Sequence, residues 1–148
     1  ILGKLLKVVY TARFARTLSS LYSVGLPIIM ALQISASTVG NSYIEAQFVR
    51  AIAKVREGEK LSDVLGEIDG FIKKLAASIM VGEETGSLES MLDSIADELD
   101  YESEMAIARM LTFLEPIMIV VMALIVGVVI VSVIMPLYGS YDAIGASA

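Results

Sequence analysis

The sequence predicts an all-α protein in which an antiparallel bundle of about six helices continues into one C-terminal transmembrane helix. Three observations indicate this fold class. No stretch alternates apolar and polar residues with the period of a strand. Hydrophobic residues make up 56% of the 148 residues and charged residues only 19%, whereas a typical soluble domain has about 25% charged residues. Residues 116–136 contain no ionisable side chain.

The apolar run at residues 116–136 predicts a single membrane span. About 20 helical residues reach across the roughly 30 Å of bilayer hydrocarbon. A buried core helix is the alternative, but a domain of this size cannot surround a helix that is apolar on every face. A cleaved signal peptide is excluded because the run lies near the C-terminus.

The basic residues predict the orientation of this span. All 11 Lys and Arg residues precede it, and Arg109 is the last of them. The positive-inside rule therefore places residues 11–115, the predicted helical bundle, in the cytoplasm and the tail at 137–148 outside. Residues 1–10 are interpreted either as a juxtamembrane segment or as an ordinary first helix. Because the chain begins with Ile1, we expect it to be part of a longer protein.

Glycine and proline mark the first corner of the bundle. We expect a helix from Thr11 to Val24 that ends at Gly25, since glycine adopts the left-handed conformation of a helix C-terminus. Pro27 then begins the second helix, where its fixed φ suits the first turn. Gly25 and Pro27 are therefore predicted corner residues.

Polar residues predict where the next helices begin. Ser42 and Glu45 fit a capping box at the start of the third helix. Ser62 is the predicted cap of a short fourth helix that ends at Gly66, and a turn at residues 69–70 precedes the fifth helix.

The segment from Gly82 to Ser87 predicts the last corner. Gly86 fits a helix C-cap and Ser87 an N-cap, and Gly82 is a further predicted corner residue. From there the last helix is predicted to run to the membrane without a break. Pro116 cannot donate a backbone hydrogen bond to Thr112, so we expect a kink at that level.

Apolar residues at helical spacing predict the core. The core positions predicted in this way are Phe14, Leu18, Leu21, Tyr22, Ile28, Leu32, Val39, Ile44, Phe48, Ile52, Val55, Leu75, Ile79, Met80, Leu88, Met91, Leu92, Ile95, Leu99, Ala106 and Met110.

The composition argues against most kinds of chemistry. The chain has no Cys and no His, which excludes a disulfide framework, an iron–sulfur cluster and a Ser–His or Cys–His catalytic pair. There is no Walker-type glycine-rich loop for ATP. The net charge of −6 argues against nucleic acid as a partner. We therefore expect no cofactor and no catalytic residue.

Acidic residues are concentrated before the span. Residues 75–108 contain nine acids and no base. Such a stretch is either the solvated face of the last helix or a surface for a basic partner, because like charges at i,i+4 destabilise an isolated helix. The candidate partner-binding residues are Glu83, Glu84, Glu89, Asp93, Asp97, Asp100 and Glu104.

Glu83 and Glu84 are poorly placed for acid–base catalysis, since adjacent helical residues point about 100° apart. Three interpretations of these two glutamates remain open: solvated charges at a helix corner, a partner contact, or a weak divalent-cation site completed by Asp93 or Asp97.

Small residues within the span are candidates for membrane packing. Ala123 and Gly127 form a small-xxx-small pair, and Ser132 offers a hydroxyl group. Together with Pro116, they are the predicted contact positions for another apolar helix in lipid.

A set of short motifs in chain order resembles one protein family. The motifs are ARFARTL at 12–18, GLP at 25–27 with AL at 31–32, VREG at 55–58 with LSDVL at 61–65, VGEETGSL at 81–88, and LEP at 114–116 with Gly127 and Pro136. Over nearly its whole length the chain resembles the inner-membrane platform proteins of the type II secretion F and type IV pilus PilC family.

The resemblance implies a place and a role. Members have two similar cytoplasmic helical domains and usually three spans, and this chain resembles the second domain and the last span. The resemblance implies a non-catalytic, homo-oligomeric protein of the bacterial cytoplasmic membrane. The implied role is to couple a cytoplasmic hexameric ATPase to pilin or pseudopilin transmembrane helices. Other platform components are further implied partners.

One position departs from the family pattern, and other functions stay open. Members often have Pro after the residue matching Phe71, where this chain has Ile72, so we expect the fifth helix to begin differently. A membrane-anchored adaptor or sensor without a motor is the alternative function. A membrane enzyme using carboxylates is a third possibility, which the lack of His and Cys disfavours.

Overall fold

The computed structural model describes residues 2–147, and all regular structure in that range is helical. The six helices are α1 (Leu2–Ser23), α2 (Ile28–Thr38), α3 (Ser42–Arg56), α4 (Leu61–Gly66), α5 (Lys73–Thr85) and α6 (Leu88–Ser147). The chain divides into two compact units between Ile107 and Ala108. The first unit contains α1 to α5 with the beginning of α6, and the second contains the remainder of α6.

Helix α1 begins at Leu2, so the predicted start at Thr11 is wrong. Residues 2–10 form the first turns of the same helix because no proline interrupts them. The predicted corner at its end is confirmed. Gly25 has φ +89°, and the N–H of Leu26 donates to the carbonyl oxygen of Leu21 at 3.2 Å. Pro27 lies one residue before α2 and its carbonyl accepts from Ala31 N–H.

Two predicted caps are replaced by other groups. Asn41, not Ser42, caps α3, and its Oδ1 accepts from the N–H of Tyr43 at 2.9 Å. Asparagine and serine are similarly good caps. Asn41 takes the position because its backbone is extended, as a cap requires, whereas Ser42 is already the first residue of the helix. Ser62 lies inside α4, which follows Lys60 at the cap position.

The predicted turn at residues 69–70 is confirmed and is held by side chains of α3. The Gln47 amide donates to Asp69 O at 2.9 Å and accepts from Asp69 N–H at 2.8 Å. The Tyr43 hydroxyl donates to the Asp69 carboxylate at 3.0 Å, which raises the pKa of Tyr43. Gly70 has φ +108°, and an added Cβ would lie 2.8 Å from Ile44 Cδ1, so the turn requires glycine.

Three phenylalanines form the centre of the bundle core. Ring centroids are 5.1 Å apart for Phe14 and Phe48, 4.9 Å for Phe14 and Phe71, and 5.8 Å for Phe48 and Phe71. Most predicted core positions are buried or packed against the core. Met80 and Met110 are the wrong ones, since both are more than 40% exposed.

The beginning of α6 completes this core, and its later part does not. Leu92, Ile95, Ala96 and Leu99 are at most 2% exposed. From Ala108 to residue 145 every side chain is exposed except the intermediate Gly127. The helix continues through Pro116 and Pro136, so residues 137–147, which follow the predicted span, are helical as well. The φ of proline suits a helix, and only one backbone hydrogen bond is lost at each site.

A hydrogen bond from Ile72 to α1 fixes where α5 begins. Ile72 precedes α5, and its N–H donates to the fully buried Thr11 Oγ1 at 3.1 Å. Many members of the resembled family have proline at the position of Ile72. Proline has no N–H, so it could not form this bond. Thr11 Oγ1 in turn donates to Lys7 O at 2.6 Å.

We predict that Thr11→Val lowers the free energy of unfolding by about 1–3 kcal/mol, because the Ile72 N–H loses its partner in the core. In an Ile72→Pro background the same change should cost much less. Urea unfolding of the full chain in detergent, followed by helical circular dichroism, measures this cycle. Thr17→Val, at a partly exposed site on the same helix whose hydroxyl binds no backbone N–H, is the control. Equal costs of Thr11→Val in both backgrounds would contradict the assignment.

Candidate functional site

Arg16 of α1 binds three aspartates of α6 within the first unit. Its Nη2 lies 2.5 Å from Asp97 Oδ1, and its Nε donates to Asp100 Oδ2 at 2.7 Å. Asp93 Oδ1 lies 3.8 Å from Nη1. The hydrogen bonds with Asp97 and then Asp100 raise the pKa of Arg16. One guanidinium thus offsets one of the three negative charges of these aspartates and lies beside all of them.

The spacing of these aspartates explains why one arginine reaches all three. Positions 93, 97 and 100 are four and three residues apart, so they follow one another along the same side of the helix. The buried stripe of Leu92, Ile95, Ala96 and Leu99 turns this side of α6 towards the bundle. A planar guanidinium with five donors suits a site that offers several carboxylates.

Lys74, at the start of α5, binds a second acidic pair on α6. Its Nζ contacts Glu98 and lies 2.8 Å from Glu102 Oε1. The hydrogen bond with Glu102, followed by that with Glu98, raises the pKa of Lys74. The predicted repulsion within the acidic stretch is therefore reduced by bases of the same chain.

Glu83 is also used within the bundle. Its carboxylate accepts from the Ser62 N–H at 3.1 Å and from the Ser62 hydroxyl at 2.7 Å. Glu83 therefore satisfies the second backbone N–H of α4, a role that sequence analysis gave to Ser62 itself. The two residues are 21 positions apart, so no local pattern could have predicted this contact.

Within the predicted partner-binding set, the acids with no internal partner are few. Within residues 2–147, Glu84, Glu89 and Glu104 form no side-chain hydrogen bond or ion pair, and all three are exposed. These three positions are the part of the predicted partner-binding set that the bundle leaves unused.

The candidate cation ligands are not brought together. Among the described residues, no group of three or more acidic side chains is arranged to hold a metal ion. Glu83 binds Ser62, while Asp93 and Asp97 face Arg16. These residues join α5 to α4 and α6 to α1 within the bundle.

The predicted corner before α6 is confirmed at Gly86, whereas Gly82 lies inside α5 and is not a corner residue. Gly86 has a left-handed backbone with φ +70°, and the N–H of Ser87 donates to Gly82 O at 3.0 Å. An added Cβ on Gly82 would lie 3.0 Å from Leu88 Cα. Glycine is thus required at 82 for close packing and at 86 for the turn.

A cleft of about 820 Å³ lies beside this corner. One wall is formed by α1 with Arg16, Ser19, Ser20 and Ser23. The other wall is formed by the end of α5 and the first residues of α6.

The later part of α6 is long and apolar enough to cross a membrane. Ser132 Oγ donates to Val128 O at 2.8 Å, so its hydroxyl is satisfied inside the helix. An added Cβ on Gly127 would meet no atom within 4 Å in the described structure. Contacts of Pro116, Ala123, Gly127 and Ser132 with another membrane helix stay a prediction.

These features define a helical bundle protein with a membrane-length apolar helix. Residues 14–136 match the family model described as type II secretion system (T2SS), protein F, and the chain belongs to this family. The resemblance found in the sequence is thereby confirmed. The family is one of inner-membrane platform proteins and not a known enzyme family.

Named relatives come from pilus assembly and from secretion. The chain is 34% identical over 144 residues to the type IV pilus assembly protein PilC of Myxococcus xanthus (strain DK1622), which covers 97% of this chain and 34% of the relative. It is 37% identical over 145 residues to the type II secretion system protein F of Xanthomonas campestris pv. campestris. This match covers 98% of the chain and 36% of the relative. The chain thus spans about a third of the length of these relatives.

We predict that Arg16→Met lowers the free energy of unfolding by about 1 kcal/mol. The substitution keeps an apolar stem but leaves three aspartates without their counter-charge. High salt should reduce the loss, because it screens the remaining repulsion. The loss is measured by urea unfolding of the full chain in detergent at low and high salt.

The control for this prediction is Arg13→Met. Arg13 is exposed on the same helix and pairs with no carboxylate in the described part of the chain, its Nη1 being 3.5 Å from Val39 O. Equal, salt-independent losses for the two variants would show that the aspartates do not depend on Arg16.

Proposed function

We propose that this chain is part of a membrane platform in a type IV pilus or type II secretion machine, where it couples a cytoplasmic assembly ATPase to pilin movement. The observation that carries the proposal is the composition of α6. Its residues 88–107 pack in the bundle and hold ion pairs with Arg16 and Lys74. The same helix continues as the apolar segment.

In this proposal the bundle transmits displacement and has no catalytic role. ATPase motion shifts the bundle, and α6 carries the shift to the membrane, where pilin or pseudopilin helices are inserted or extracted. Ion pairs between α6 and two other helices support this role, because they oppose sliding of α6 within the bundle. Chemistry then belongs to the ATPase.

The proposed place is the bacterial cytoplasmic membrane, with residues 11–115 in the cytoplasm and the C-terminus outside. The position of every Lys and Arg before residue 116 supports this orientation. Residues 1–10 are then close to the membrane surface. Homo-oligomers and other platform components complete the assembly.

The three acids of the predicted partner-binding set that have no internal partner, Glu84, Glu89 and Glu104, are the proposed contact with the ATPase. We predict that Glu84→Gln/Glu89→Gln/Glu104→Gln in the intact parent protein weakens its association with the cognate ATPase, most strongly at low salt. Co-purification from detergent-solubilised membranes measures this, with pilus assembly or secretion as the cellular readout.

The control triple is Glu45→Gln/Glu57→Gln/Glu59→Gln, which changes the net charge equally on exposed residues outside α6. It should leave association unchanged. Absence of ATPase binding by the intact parent, with normal assembly and secretion after its deletion, would reject the platform role. That result would leave the membrane-anchored adaptor or sensor.

A further inference from the structure

The cleft between α1 and the α5–α6 corner contains a hydroxyl group without a partner. Ser19 is only 6% exposed and lines the cleft, yet its hydroxyl forms no hydrogen bond within residues 2–147. Ser62 is equally buried, and its hydroxyl binds Glu83. Thr17, one turn from Arg13, donates to the carbonyl of that residue. Ser19 does neither, and its oxygen is not among the fully enclosed ones, so it is open to the cleft that it lines.

The charges around Ser19 select the kind of ligand. The cleft is lined by three carboxylates, from Glu83, Glu89 and Asp93, and by one guanidinium, from Arg16. The Arg16 donors are directed to Asp97 and Asp100. Glu89 has no internal partner in the described structure. The lining thus carries two net negative charges, which oppose an anion and favour a cation.

The size of the cleft fits a side chain with part of its backbone. Its volume of about 820 Å³ exceeds what a bare ion needs, and no described group of carboxylates is arranged to hold a metal ion. Serines at 20 and 23 on α1 and at 87 and 90 on the other wall add hydrogen-bonding groups for a peptide backbone.

We propose that this cleft binds a lysine or arginine side chain from a basic segment of a partner protein. Glu89 supplies the unpaired opposite charge, Glu83 and Asp93 add to the negative potential of the lining, and the Ser19 hydroxyl accepts a hydrogen bond from the bound cation. The identity of the partner rests on the proposed platform function. The cleft chemistry itself is tested separately.

The test is a titration of the full chain in detergent micelles with N-acetylated, C-amidated tetralysine, followed by backbone amide NMR shifts. The expected shifts concentrate at Ser19, Ser23 and Glu89, and binding weakens as salt increases. The matching tetraglutamate peptide should produce no such shifts. Tetralysine shifts spread evenly over exposed acids would overturn the proposal.

Single variants distinguish tetralysine binding in this cleft from nonspecific binding to a negatively charged protein. Glu89→Gln should weaken tetralysine binding by about fivefold, the effect of one lost charge pair. Glu104→Gln makes the same charge change on α6 outside the cleft and should leave binding unchanged. Ser19→Ala should keep the fold, because its hydroxyl has no internal partner, and should weaken binding about twofold.

Equal effects of Glu89→Gln and Glu104→Gln, or none from Ser19→Ala, would overturn the cleft assignment. ATPase co-purification with the parent would be untouched by that result. Conversely, localised tetralysine binding together with failed ATPase association would keep the cleft and reject the platform role.

Discussion

The change in surface along α6 is the constraint on which the rest of the structure depends. Up to Ile107 the helix has a buried apolar stripe flanked by acids, and beyond it almost every side chain is apolar and exposed. Water can solvate the first surface and lipid the second. The first part of the helix is fixed in the bundle, and the second part has the length and composition that suit a membrane.

Internal charge pairing explains how so many acids are tolerated on one helix. Each exposed ion pair contributes little by itself, about 0–1 kcal/mol, but Arg16 and Lys74 each serve more than one carboxylate. The pairing also divides the acids by role. Those that face α1 and α5 stabilise the bundle, whereas Glu84, Glu89 and Glu104 stay available to other molecules.

Local patterns predicted the fold, and long-range contacts decided the site. Helical spacing was enough to identify Phe14 and Leu18 as core residues. Gly25 and Gly86 form corners because both have a positive φ, which glycine adopts without strain. The partner of Arg16 is more than 80 residues away, so spacing could not indicate it. The one available signal was the contrast between residues 1–44, which hold bases and no acid, and residues 75–108, which hold acids and no base.

Cysteine accessibility across α6 tests the membrane assignment most directly, since the chain has no cysteine of its own. Single variants of the full chain are treated with a membrane-impermeant maleimide in spheroplasts. Asp142→Cys should react in intact spheroplasts, Glu104→Cys only after permeabilisation, and Leu124→Cys in neither case. Reaction of Leu124→Cys in intact spheroplasts, or of positions 104 and 142 from the same side, would contradict a membrane-spanning α6.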